Sequence, residues 1–329
     1  MRAIITGIGH YVPDKILSNS DLEKIVDTND EWITTRTGIK ERRILDKEKG
    51  TSYMATRAAE AVLKETQTSP DELDLIVLAT VTPDMPVPSA AAFIQRNLGA
   101  TNCWGYDING GCTGFICALA TGAQFIESGR HKKVLVIGAD KMSAITNYED
   151  RTTCVLFGDA AGAVLLEPSE ENGSGIEDFI LHLDGSGAES LKIEAGGSLY
   201  PASHETVDQN LHYLWQDGKT VFKHAVIGMA DVSAKIIERN KLTEKDIKFF
   251  IPHQANYRII DAAAKKMGLD ADRVVINIEK YGNTTAATIP LAMSETYRDK
   301  KLKKGDWLVL AAFGAGYTWG SVLLRWAID

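Results

Sequence analysis

Apolar positions along the chain fall into two rhythms that alternate from end to end. Residues 54–66, within "SYMATRAAEAVLKETQ", recur at helical spacing, whereas "LDLIVLATV" (73–81) carries a continuous apolar run over 75–79. Such a run predicts a strand buried on both faces, in a sheet that helices cover from either side. "SAAAFIQRNLG" (89–99) predicts a helix stopped by glycine, and "CWGYDI" (103–108) a strand. "TGFICALATGAQFIESGR" (113–130) predicts the next helix and "KVLVIGAD" (133–140) the next strand. The opening "MRAIITGIGHYVP" reads as a first strand entering a turn, and "TTCVLFG" (152–158) as another strand-like run. This alternation predicts an α/β fold with largely parallel central strands.

The second half repeats the order of the first. "SPDELDLIVLATV" (69–81) is answered by "TEKDIKFFIPHQA" (243–255), and a helix precedes each, at 54–66 and 226–240. The following helices end in Leu98-Gly99 and Met267-Gly268. "YDINGGCTGFICALA" then lies beside "VVINIEKYGNTTAATIPLA", and the closing strands are "KVLVIGAD" and "DWLVLAAFGAG". Matching Gly111 to Gly282 sets Cys112 opposite Asn283. The repeat predicts two like halves, 1–169 and 170–329, joined near the polar, glycine-containing "EPSEENGSG". Both glycine turns then lie near one pseudo-twofold axis.

Composition narrows the function. The 329 residues are 44% hydrophobic with a net charge of −8, which supports a sizeable core and argues against a general nucleic-acid binder. No apolar run is long enough to span a bilayer, and the first residues lack the features of a secretory signal. The four cysteines, Cys103, Cys112, Cys117 and Cys154, show no CxxC spacing, so a reducing, cytoplasmic setting is expected. The seven histidines form no ligand-like cluster, and no metal is expected.

Cys112 stands apart from the other three. "INGGCTGFIC" places it where a strand hands over to a helix, among glycines that tolerate unusual dihedrals and close approach. Unpaired N–H groups at a helix start favour an anion, so the position is expected to favour thiolate, the nucleophilic form. A cysteine at a tight turn also serves as a small buried hydrophobe, and Cys103, Cys117 and Cys154 are read that way. "FFIPHQAN" sets His253 directly after a buried strand with Asn256 three residues on, and "YGNTTAA" sets Asn283 in the turn equivalent to that of Cys112. Three polar groups at corresponding ends of duplicated units suggest a shared site.

In their order and spacing, "GGCTGF", "PHQAN", "GNTTAA" and "FGAGYTWGS" resemble the motifs of β-ketoacyl-acyl carrier protein synthase III, the initiating condensing enzyme of type II fatty acid synthesis. "NDEWITTRTGIKERR" (29–43) and "DRTTCVLFGDAAGA" (150–163) resemble two more, so the likeness runs the length of the chain. It implies the thiolase fold, a duplicated five-layer α-β-α-β-α sandwich with mixed sheets, usually a homodimer. It also implies a catalytic triad of Cys112, His253 and Asn283, acting on an acyl-CoA and a malonyl-acyl carrier protein without a further cofactor. The backbone N–H groups of Cys112 and Ala315 would form the oxyanion hole. CoA would be held by Trp32, Arg36, Arg151, Gly218, Phe222 and Asn256. Val87, Phe157 and Phe313 would line the acyl pocket, Val87 standing where a bulkier phenylalanine is common. Carrier protein, being acidic, would dock on a basic patch with Lys223 and Arg258, near Lys265 and Lys266.

Other functions account for less of the sequence. "TGIGHYV" and "FGAGYTWG" echo a dinucleotide-binding turn, but the first has Val12 at its third glycine position and the second leads into a strand-like ending. A specialised condensing enzyme or acyltransferase of polyketide or secondary metabolism would share the same triad. A non-catalytic binding protein would not need it.

Overall fold

The structure, a computed structural model, describes residues 1–171 and 173–329. Two mixed sheets form its frame. The first contains β1 (Arg2–Tyr11), β2 (Leu75–Ala79), β3 (Trp104–Ile108), β4 (Val134–Lys141) and β5 (Asp159–Ser169), in the order β1-β5-β4-β2-β3. Strand β2 runs parallel to both β3 and β4, while β5 is antiparallel to β1 and β4. The second contains β6 (Gly175–Leu183), β7 (Ile247–Pro252), β8 (Trp307–Gly314) and β9 (Thr318–Arg325), in the order β7-β8-β9-β6. A single parallel bridge, Phe250 to Val274, stands beyond β7 where the first sheet has β3. Each sheet therefore runs first strand, last, fourth, second, third.

Helices complete five layers. Before the frame proper comes the short α1 (Asp30–Thr37), capped by Asn29 and stopped at Gly38. On the outer face of the first sheet lie α2 (Thr51–Thr66) and α3 (Ala90–Leu98), whose Met54, Ala58 and Ile94 pack on Ile76, Leu78 and Ile137. Between the sheets lie α4 (Gly114–Glu127) and, further along the chain, α7 (Thr288–Arg298). Phe115, Ile116 and Leu119 of α4 join Ile289, Ala292 and Met293 of α7 in a core shared with Val77, Val136, Leu310 and Val322. Because α4 is sandwiched, it is apolar nearly all round, which explains its unbroken sequence. On the far side, α5 (Gly218–Arg239) and α6 (Tyr257–Met267) cover the second sheet through Met229, Ile236, Ile259 and Ala263.

The sequence patterns locate these elements closely. All five residues of β2 are buried, as its unbroken apolar run requires. Helix α3 ends at Gly99, whose φ of +71° is the left-handed stop that glycine supplies without strain. Helix α5 starts eight residues before the expected 226, because the Asp217 side chain caps it through the Thr220 N–H at 3.1 Å. The strand expected over 152–158 is a correction: residues 151–156 form turns. The Asp150 carboxylate accepts from the hydroxyls of Thr152 and Thr153, both at 2.7 Å, and holds the chain in a local turn rather than a ladder. Cys154 is buried there, off any strand.

Candidate active site

Three loops from the two halves meet at the ends of their strands. The first carries Cys112. Gly111 takes φ +56°, the chain makes one 3₁₀ turn over Gly111–Thr113, and α4 begins at Gly114. The fit is tight, since a Cβ built on Gly314 would lie 2.7 Å from the Cys112 backbone nitrogen. Threonine hydroxyls bind the loops across the halves: Thr113 donates to the Thr318 carbonyl at 3.1 Å, and Thr318 to that of Gly110 at 3.2 Å.

His253 follows β7 directly. Its backbone N–H donates to the Ala311 carbonyl at 2.8 Å, which holds the residue against β8. The ring is 1% exposed. Nδ1 lies 2.7 Å from the Thr288 hydroxyl, while Nε2 is buried and has no hydrogen-bond partner. Burial lowers the imidazole pKa to about 3, so the ring is neutral at physiological pH.

Asn283 sits in the turn before α7. Its N–H donates to the Leu156 carbonyl at 2.8 Å, and its own carbonyl accepts from Gly158 at 3.1 Å. The side-chain Oδ1 accepts from the Thr285 N–H at 2.9 Å, which leaves the amino group as the unassigned end of the carboxamide. Behind the turn lies Asp140, fully buried at the end of β4. Its carboxylate accepts from Val81 N–H, the Thr80 and Thr82 hydroxyls, and Ala286 N–H, at 2.8 to 3.1 Å. One carboxylate thus ties the first sheet to the Asn283 turn. Burial raises its pKa to about 6.

Cys112, His253 and Asn283 all line one cavity of about 360 Å³. Ala315, Phe157 and Phe313 line the same space, as do Gly218, Phe222 and Asn256. The Ala315 N–H lies close to the Cys112 turn, 3.1 Å from a Cβ built on Gly111. The left-handed angle in that loop falls on Gly316, so Ala315 carries its methyl group without strain. Further walls come from residues the sequence did not single out: Val81, Met142 and Leu156, and the ribbon of Leu191–Ile193 paired with Leu214–Gln216. That ribbon is joined to the body by the Leu214 N–H on the Ile145 carbonyl.

The expectation that the helix start makes Cys112 a thiolate does not hold for the unliganded protein. Burial and the nearby Asp140 carboxylate push the thiol up to about 12, against a smaller opposing contribution from its own backbone N–H. Cys112 therefore rests as a thiol.

Trp32, Arg36, Arg151, Val87, Lys223 and Arg258 do not line this cavity, whereas Asn256 stands at its wall. Trp32, on α1, has the guanidinium groups of Arg36 and Arg151 at 4.7 and 5.2 Å from its ring centroid. Arg151 is held by the Asp27 carbonyl, to which it donates at 2.8 Å. Asn256 does two jobs at once: its Oδ1 caps α6 through Arg258 N–H, and its amino group donates to the Arg36 carbonyl at 3.0 Å, fastening α1 beside the cavity. Lys223 and Arg258 are exposed, Arg258 reaching the Thr35 carbonyl at 3.4 Å. Lys265 is also exposed but pairs with Asp261, and Lys266 is exposed beside it. Val87 is 82% exposed on the loop after β2 and does not line the cavity within one chain. Sequence reading missed Thr288 and Asp140. Asp140 left a signal, a carboxylate closing the apolar run of β4, but nothing local distinguished Thr288.

Two like sheets that bring a cysteine, a histidine and an asparagine to one narrow cavity define a class: an acyl-transferring condensing enzyme on the thiolase fold. Residues 106–185 match the family described as 3-oxoacyl-[acyl-carrier-protein] synthase III, and residues 237–326 match its C-terminal part. The β-ketoacyl-[acyl-carrier-protein] synthase III of Chlorobaculum tepidum is 57% identical over 328 residues, covering 99% of this chain and all of that protein. The crystal structure of 3-oxoacyl-[acyl-carrier-protein] synthase III from Aquifex aeolicus superposes with a TM-score of 0.91 at 46% identity, over 98% of this chain and 100% of that one. The priming β-ketosynthase of the R1128 polyketide pathway also superposes at 0.91, at 32% identity, over 99% of this chain and 96% of that one. The chain belongs to the 3-oxoacyl-[acyl-carrier-protein] synthase III family.

Proposed function

We propose that this protein joins an acyl-CoA primer to malonyl-acyl carrier protein, with Cys112 as nucleophile and His253 and Asn283 as its polar partners. The observation that carries the assignment is the convergence of all three on one cavity lined largely by apolar side chains. Cys112 attacks the primer thioester to form an acyl-enzyme and release CoA. The N–H groups of Cys112 and Ala315 receive the tetrahedral oxyanion. Malonyl-acyl carrier protein then loses CO₂. The amino group of Asn283 and the imidazole of His253 hold the enolate oxygen while the carbanion attacks the acyl group. No step is a redox reaction, and the reading invokes no cofactor beyond the substrates. Mass spectrometry after incubation with acetyl-CoA tests the nucleophile: one acyl adduct is expected on Cys112 and none in Cys112→Ala. An adduct on another residue would refute it.

We read the adenine of CoA as sandwiched between Trp32 and Arg151, with Arg36 near its phosphates and the pantetheine arm passing Asn256, Gly218 and Phe222 into the cavity. The acyl group is placed near Phe157 and Phe313. Carrier protein is placed on the exposed cations Lys223 and Arg258; Arg258→Glu is expected to weaken malonyl-carrier use and spare acyl-CoA transfer. The chain is read as a homodimer. Its support is the edge strand β3, whose Trp104 is 49% exposed, together with the outlying Val87, which a partner's cavity would accept as a wall. Light scattering showing only monomer would refute this. A cytoplasmic setting accords with four unpaired cysteines and with the absence, among the described residues, of a helix long and apolar enough to cross a membrane. The division into halves at 169/170 is placed between the last strand of the first sheet and the first of the second.

A further inference from the structure

The hydroxyl of Thr288 has one proton and two neighbours. It lies 3.0 Å from the Thr285 carbonyl oxygen, which can only accept, and 2.7 Å from His253 Nδ1. A threonine at the start of a helix often donates to a carbonyl three or four residues back. With its proton committed to Thr285, Thr288 presents only lone pairs to the imidazole, so Nδ1 must be the donor. In a neutral ring the other nitrogen, Nε2, is then bare. Nε2 is the atom that is buried without a partner in a ring lining the Cys112 cavity. Thr285 is the joint of this arrangement. Its N–H holds Asn283 Oδ1 and its carbonyl holds Thr288, from a backbone angle of φ +53°.

We propose that Thr288 is a positioning residue that fixes the tautomer of His253, keeping Nδ1 protonated so that Nε2 takes the Cys112 proton and holds it for the second half-reaction. The proposal rests on the nucleophile reading above and adds the order of proton movements. As the sulfur–carbon bond to the primer forms, the Cys112 S–H proton passes to Nε2. The tetrahedral intermediate then collapses, the bond to CoA breaks, and CoA leaves as its thiolate, to be protonated by water, while the proton on Nε2 is held against the carboxylate of the entering malonyl group, whose charge offsets the burial that keeps the ring of the empty site neutral. The Nε2–H now donates to the malonyl thioester oxygen while the bond to CO₂ breaks and its electron pair enters the enolate. When the carbanion attacks the acyl carbon, Cys112 leaves as thiolate and recovers its proton from Nε2. The same turn that aims the Asn283 amino group at the cavity therefore withholds the second donor until a primer has been loaded.

The isosteric variant Thr288→Val separates this role from a structural one. Removing the acceptor leaves Nδ1–H buried and unpaired, and the neutral ring moves its proton to Nε2. Acylation of Cys112 by acetyl-CoA, followed by rapid quench and mass spectrometry, is expected to fall about 10- to 100-fold, the scale of an unsatisfied buried donor. Decarboxylation of malonyl-carrier protein without primer is expected to persist or rise, because the donor is now permanent. Thr288→Ser is expected to restore the wild-type split. Nitrogen-15 NMR of the histidine rings, assigned with His253→Gln, reads the tautomer directly: Nδ1–H in the wild type and in Thr288→Ser, Nε2–H in Thr288→Val. Thermal unfolding checks that each variant is folded. A wild-type ring protonated at Nε2 overturns the proposal, as does an equal fall of both half-reactions in Thr288→Val with the tautomer unchanged. A wild-type protein that never acylates Cys112 overturns the nucleophile reading and the proton route together, while the NMR result still decides whether Thr288 sets the ring.

Discussion

The protonation states of the site predict an unusual pH profile for the first half-reaction. Burial holds the Cys112 thiol at about 12 and the His253 imidazole at about 3. If the enzyme waited for free thiolate, only about one molecule in 10⁵ would be competent at pH 7, a penalty of about 7 kcal/mol. The acylation rate would then climb tenfold per pH unit. If His253 were an ordinary histidine of pKa ~6.5 acting as base, only about a tenth of it would be neutral at pH 5.5, and the rate would fall accordingly. The structure predicts neither. With His253 neutral far below pH 5.5 and the thiol intact far above pH 8.5, thiol and base are both in their reactive forms throughout, and proton transfer accompanies attack. The single-turnover rate of acyl adduct formation on Cys112 is therefore expected to be flat, within about twofold, from pH 7 to 8.5 in the wild type, and from pH 5.5 to 8.5 in Asp140→Asn, which removes the carboxyl that titrates at about 6 beside Cys112. Rapid-quench mass spectrometry at saturating acetyl-CoA measures it. In His253→Gln the flat profile should be replaced by a lower rate that rises with pH, because thiolate must then form unaided. A wild-type rate rising with unit slope, or a rate in Asp140→Asn that falls with a midpoint near 6.5, would refute the reasoning.

Three further perturbations test the surroundings. Gly314→Ala places a methyl group against the Cys112 backbone nitrogen and should slow acylation by about 100-fold, the effect of an ångström-scale misplacement, while the protein still unfolds cooperatively. Arg42, buried on the Val155 and Leu17 carbonyls and Asn19 Oδ1, ties the two-stranded ribbon of residues 16–18 and 41–43 to the turn that bears Arg151. Arg42→Leu should cost about 3 kcal/mol in urea unfolding and raise KM for acyl-CoA; an unchanged KM would detach that support from the nucleotide site. His10 and His253 have folded pKa values lowered to about 4 and about 3, so the stability they contribute is present above pH 6.5 and is lost as pH falls through those values. Asp140, raised to about 6, works oppositely, its contribution being full below about pH 4 and lost as pH rises through 6. The melting temperature should therefore drop from pH 6.5 to 3 less steeply in wild type than in Asp140→Asn, as measured by calorimetry.

What the sequence disclosed follows from the range of the forces involved. Period and apolarity are written into consecutive residues, so β2, β4 and α4 could be read from "LIVLA", "VLVIGAD" and "FICALATGAQFIE". The three residues proposed as the triad could be picked out because each lies at the end of such an element: Cys112 before α4, His253 after β7, Asn283 before α7. Where local polar bonding competes with an apolar run, as at Asp150 with Thr152 and Thr153, the run misled. Chemistry across long sequence separations was hidden as well. Cys112 looks activated in its own turn, and only folding sets the Asp140 carboxylate near it and withdraws it into the cavity wall, where its anion is less well solvated. Thr288 is 35 residues from His253 in the chain and has the ordinary appearance of a helix-start hydroxyl. Its meaning depends on the Thr285 carbonyl claiming its only proton, a fact of three-dimensional geometry. The proposed nucleophile and donors can thus be picked out from motifs, but on the proton route proposed above the order in which protons move between them is set by Thr288, Thr285 and Asp140, residues that do not themselves react.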